Sequence, residues 1–150
     1  MSARRGLLLA VLLAACSPAC APPPAAPRRV EIRAVGPEAI ELVPAEGQPP
    51  FCLVFTVSEK RVVRQLTIAE PNESVPCPAG APIGETRYRI PKTEGPVKIH
   101  VVFSDRGLDA RPIAAQMHEL GASPGFSAMD LRAPGNVALV TLDFTPGAGR

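Results

Sequence analysis

The chain has 150 residues, the length of one domain, with 16 Lys and Arg against 14 Asp and Glu. Two of the basic residues, Arg4 and Arg5, lie ahead of the body of the chain, so neither a basic nucleic-acid footprint nor an acidic tail is present. With no Trp and a single Tyr, an extended aromatic platform for sugars or single-stranded nucleic acid is excluded as well.

Met1–Arg5 carries the two arginines, and Gly6–Ala15 (GLLLAVLLAA) is an unbroken apolar run. That run is long enough for the apolar region of an export signal and too short to span a bilayer as a helix. It ends in Leu13-Ala14-Ala15-Cys16, which closely resembles the bacterial lipobox. The resemblance implies a lipoprotein signal peptide over 1–15, cleaved before Cys16. The Cys16 thiol would accept a diacylglyceryl group as a thioether, and its freed amine is usually acylated too. Two or three chains, at about 0.8 kcal/mol per buried methylene, anchor stably where one would be marginal. Ser17 follows the anchor, and in enteric bacteria the absence of Asp there sorts a lipoprotein to the outer membrane, facing the periplasm. The alternative is an ordinary secretory signal cut at Ala15 or Ala19, with Cys16 incidental.

Residues 16–29 read as the lipidated cysteine and a Pro/Ala-rich tether. Extended polyproline-like backbone at about 3.1 Å per residue would hold the domain on the order of 40 Å from the membrane. Export makes the remaining cysteines disulfide candidates. Cys20 sits in the tether, while Cys52 and Cys77 lie inside the domain, so Cys52–Cys77 is the economical pairing. Alternatively Cys52, within the apolar run FCLVFTV, is a buried free thiol. No CxxC or close Cys/His pair points to a metal, and no cofactor motif occurs.

Residues 30–150 read as a single β-rich domain. Val30, Ile32 and Ala34 share one strand face, and Ile40 and Leu42 repeat the pattern after Gly36-Pro37. Phe51–Val57 is apolar on both faces, as a central strand is. Ser58-Glu59-Lys60-Arg61 is a polar hairpin connection, with Val62–Ala69 as the return strand. A turn-rich excursion from Pro71 to Gly84 follows, and then alternation over Thr86–Ile90 and Val97–Ser104. Ile113, Met117 and Leu120, with Gly121 as a stop, predict a short amphipathic helix over Ala110–Leu120 that packs on the sheet. Ala138, Val140, Leu142 and Phe144 share one face of the last strand. Together these predict a β-sandwich, immunoglobulin-like in general architecture, of about seven strands with one short helix.

Residues 51–110 also carry an ordered set of short motifs: FCLVFTV, VVRQLTI, Pro71-Asn72, Ala79-Gly80 with Pro82-Ile83, Ile90-Pro91, and Gly95-Pro96 opening VKIHVVFSDRGL. This order is similar to an uncharacterised β-rich bacterial domain found in envelope proteins and in some kinase- or protease-associated chains. The sequence departs from that pattern at Glu59-Lys60-Arg61, where a glycine turn is expected, and in its two cysteines. The resemblance implies a sandwich-like periplasmic accessory domain and no particular reaction.

Catalytic signatures are sparse. No serine sits in G-x-S-x-G, and the two histidines are His100 and His118. Alternation puts His100 on the polar, solvated face of its strand. His118-Glu119 lacks the second zinc ligand, since Ala122 stands at the required spacing. Ser104 and Asp105 are placed to form a turn. Arg87, Arg89 and Lys98 would form a basic patch for an acidic envelope polymer if their strands were neighbours. The expected function is therefore a membrane-anchored, non-catalytic lipoprotein whose domain engages an envelope protein or polymer and no nucleic acid. The alternative is an envelope hydrolase assembled from His100, His118, Asp105 and Glu119; a purely structural scaffold ranks behind both.

Overall fold

The computed structural model describes residues 29–148. Cys16, Cys20, the leader and most of the tether lie outside them. Eight strands run β1 (Val30–Ala34), β2 (Ala39–Pro44), β3 (Phe51–Ser58), β4 (Val63–Gln65), β5 (Val75–Pro76), β6 (Tyr88–Arg89), β7 (Val97–Ser104) and β8 (Val137–Phe144), with helix α1 (Ala110–Leu120) between the last two. They form two antiparallel sheets, one ordered β1-β2-β6 and the other β4-β3-β7-β8, with β5 also paired to β3. This is the predicted mainly-β sandwich with one helix.

The two-sided apolarity of β3 has a direct structural cause. Cys52 and Val54 point with Ile99, Val101 and Phe103 of β7 into the core shared with Ile40 and Leu42 of the small sheet. Leu53 and Phe55 point the other way and pack with Val102, Ile113 and Met117 under α1. The large sheet is thus the middle of three layers, and all seven residues from Cys52 to Ser58 are buried. Burying an aliphatic or aromatic side chain contributes about 1.5–3 kcal/mol, so β3, and β7 beside it with both faces likewise covered, contribute heavily to stability.

Helix α1 has the predicted bounds. Asp109 caps it by accepting the Arg111 amide at 2.9 Å. Pro112 falls in the first turn, where its missing N–H costs nothing. Ile113 and Met117 are buried, but Leu120 is half-buried.

Two expected strands are shorter than their alternation promised. The return strand keeps only Val63–Gln65 on the ladder. Beyond it the Val54 amide turns from backbone to side chain and donates to Thr67 Oγ1 at 3.1 Å, while the Leu66 amide donates to the Val54 carbonyl at 2.8 Å. Thr86–Ile90 contributes only Tyr88 and Arg89, paired to Ile40 and Ala39. Within the turn-rich excursion, Val75 and Pro76 form a brief strand opposite Cys52 and Phe51, adding to the count of about seven.

Candidate functional site

Cys52 and Cys77 are joined by a disulfide with a Cα–Cα distance of 5.9 Å, and both are buried. The bond ties the end of β5 to the central strand beside the Cys77 amide, which donates to the Pro50 carbonyl at 2.8 Å.

His100 departs from its expected place. It lies on the face of β7 that α1 covers and is 1% exposed. Its Nε2 contacts the Gly121 carbonyl at 2.9 Å and its Nδ1 contacts Thr141 Oγ1 at 2.9 Å. A carbonyl can only accept, so Nε2 carries the proton; in the neutral ring, Nδ1 then accepts from the Thr141 hydroxyl. Phe126 meets the ring edge-on at 5.4 Å. Burial pushes the imidazole below its ordinary value, and the Lys98 charge adds to this against the Gly121 carbonyl bond and Asp143. The ring is therefore a neutral tie between helix end and edge strand. Val102, in the same alternating row, was the sequence signal that this face is covered.

The other candidate groups do not converge. His118 and Glu119 are exposed on α1. Asp105 stands at the far end of β7, about 16 Å of extended strand from His100. Its carboxylate accepts from the Asn136 amide at 3.1 Å and the Asn136 side chain at 2.9 Å. Partial burial works to raise its pKa, but these bonds and Arg106 outweigh that and hold it low. Ser104 Oγ accepts the Arg106 amide at 3.2 Å, so this corner is the expected turn.

The expected basic patch is not formed. Arg87 and Arg89 belong to the small sheet's edge and pair with Glu41 at 3.3 Å and Glu38 at 3.0 Å. Lys98 is in the large sheet and pairs with Asp143 at 2.9 Å. Glu38 is held below the usual carboxylate range by the Lys92 amide and by Arg89. Each of these three cations has its own acid, so they do not combine into one basic patch. Among the described residues, no three His, Cys, Asp or Glu side chains converge as metal ligands.

A groove of ≈ 420 Å³ opens beside the end of α1. Val57, Lys98 and Asp143 sit in register across β3, β7 and β8 as its floor, one row beyond Phe55, His100 and Thr141. Glu59 and Arg61 from the β3–β4 turn, with Ala122, form its walls. Both charge signs line it, which suits a zwitterionic or hydrogen-bonding contact more than a polyanion. Sequence reasoning missed this groove because its walls come from connections.

Comparison with family models, curated proteins and solved structures finds no match to this chain.

Proposed function

We propose that the chain is a bacterial lipoprotein, cleaved before Cys16, anchored through lipid on that cysteine, and serving the cell envelope as a non-catalytic binding or accessory domain. The observation that carries this reading is the leader: two arginines, ten apolar residues and Leu13-Ala14-Ala15-Cys16. The Cys52–Cys77 disulfide supports it, because such bonds persist in exported rather than cytosolic proteins. A binding role is favoured over a hydrolytic one by the state of the titratable groups. His100 has both ring nitrogens engaged, Asp105 is held by Asn136 at the far end of β7, and His118 and Glu119 stand exposed on α1, so the four do not assemble into one site. An outer-membrane location, facing the periplasm, follows from Ser17 after the anchor.

The test is mass spectrometry of the mature protein's N-terminal peptide after growth with labelled palmitate. The reading requires an acylated Cys16 as first residue, and loss of both label and membrane association in Cys16→Ser. A protein beginning at Met1, or one whose Cys16 is unmodified, would sink it.

A further inference from the structure

The two sheets present four edges, and three of them are blunted. Strand β4 has three residues and β6 two, and β1 alternates Glu31 and Arg33 with its apolar positions. The remaining edge, β8, runs for eight residues (VALVTLDF) with a single charge, no lysine and no proline. Its Ala138, Val140, Leu142 and Phe144 complete the core only partly and remain half-buried. Among the described residues, no backbone hydrogen bond outside the sheet ladder reaches Val137–Phe144. Sheet edges of this length and composition are normally shielded by charge, proline, a bulge or a covering element.

The residues before Arg29 make a poor cover. Pro22, Pro23, Pro24 and Pro27 lack the amide hydrogens that a paired strand of that length needs.

We infer that β8 is the interface for a second copy of this chain, two β8 strands pairing antiparallel about a two-fold axis at Thr141 so that the large sheets become continuous. Such isologous two-fold contacts are the commonest way soluble chains assemble. Side chains fit the axis. Ala138 meets Phe144 of the second copy, small against large; Val140 meets Leu142; Thr141 meets itself, and threonine pairs are favourable cross-strand partners. Asp143 faces Leu139, so no like charges are opposed.

A second layer agrees with this axis. Arg29 borders a groove with Val137 and Ala138, whereas Ile32 and Ala34 border one with Asp143 and Phe144. Strand β1 therefore runs alongside β8, and an axis through the middle of β8 passes close to Ile32. There the exposed Glu31 and Arg33, paired within one copy at 3.1 Å, meet Arg33 and Glu31 of the other. The charges are self-complementary under the symmetry that β8 requires.

Sedimentation equilibrium of the intact chain in density-matched detergent, over a concentration series reaching about 100 μM, tests this against a micromolar dissociation constant. The wild type is expected to reach twice the chain mass. Val140→Lys is expected to stay monomeric, and Val62→Lys, on an exposed residue by the opposite edge, to dimerise like wild type. Arg33→Glu, on the exposed face of β1, should weaken dimerisation roughly tenfold, and combining it with Glu31→Arg should restore it. Amide exchange on the unsubstituted protein provides a readout free of folding artefacts: β8 protection should rise with concentration. A wild-type monomer at every concentration overturns the inference. So do β8 amides protected equally in the monomer, or a dimer indifferent to both Val140→Lys and the charge reversal.

Discussion

At the scale of single residues, His100 shows how a polar side chain can sit in an apolar layer without a charge. Desolvation acts against the imidazolium, and both ring nitrogens are satisfied by neutral groups, the Gly121 carbonyl and the Thr141 hydroxyl. The pH consequence has a definite sign. The folded ring titrates below its ordinary 6.5, so the unfolded chain binds the proton first. Its stabilising contribution is complete above pH 6.5 and is lost as pH falls from there toward the folded-state value. Urea midpoints of the wild type should therefore fall as pH drops below 6.5. His100→Leu should flatten that part of the profile while lowering the midpoint at pH 7.5, because it leaves the Gly121 carbonyl unpaired in the interior. A profile with the same slope in both proteins would mean that other groups carry the acid sensitivity. Tyr88 shows the same physics in the opposite direction. Buried with its hydroxyl donating to the Ile83 carbonyl at 2.9 Å, it is pushed up to about 12 by desolvation and stays neutral throughout this range.

At the scale of elements, α1 was legible to the residue from Ile113, Met117 and Leu120 at helical spacing and Gly121 after the last turn, and the structure adds Asp109 as its cap and Pro112 in its first turn. The stop has a further reason beyond helix termination. Gly121 has ordinary helical φ of −61°, so backbone freedom does not require glycine. Space does: a Cβ there would stand 2.6 Å from the Met117 carbonyl oxygen and 2.9 Å from Val57 Cγ2. Alanine would gain about 0.5–1 kcal/mol from reduced chain entropy. Overpacking against backbone typically costs about 1–3 kcal/mol and should dominate. Gly121→Ala is thus expected to destabilise by about 1–2 kcal/mol in chemical denaturation, with a change in the His100 ring proton shifts because the same residue's carbonyl holds Nε2. Asp109→Ala should cost about 1 kcal/mol through the lost cap and leave His100 undisturbed. Strands were legible in proportion to how completely alternation was matched by pairing. Strands β1, β3, β7 and β8 fall where the pattern put them. Strands β4 and β6 were overextended because side chains and turns, which Thr67 and the Glu38–Arg89 contacts exemplify, take over the hydrogen bonding. His100 was misplaced for a related reason. Alternation in β7 separates two faces but does not say whether the more polar one is also covered, and that depends on a helix arriving from later in the chain.

At the scale of the whole molecule, the middle sheet is held between two covers of unequal security. On one side α1 follows β7 closely in sequence and returns to it through β8, so its docking closes short loops. On the other, the small sheet draws its strands from both before β3 and after β5, and the segment between β4 and β6 carries only a two-residue strand and one short 3-10 turn, Ile83–Glu85. The disulfide joins the middle layer to this weakly structured segment, with 25 residues separating Cys52 from Cys77. In the chain-entropy account a loop of that length is worth about 3.5 kcal/mol, comparable to fully burying one or two large side chains. Reduction with excess dithiothreitol, or the paired Cys52→Ala and Cys77→Ala substitution, is therefore expected to lower unfolding free energy by about 3 kcal/mol. Cys20→Ser should leave it unchanged. The loss should be local before it is global. Amides of Val75, Cys77 and Gly80 should exchange faster once the bond is cut, whereas those of β7 and α1 should keep the order of protection they have in the oxidised protein. A reduced protein as stable as the oxidised one would show that packing of Cys52 and Cys77 against Val54 and Phe103 already fixes the segment. The cross-link would then report only the compartment in which the chain folds.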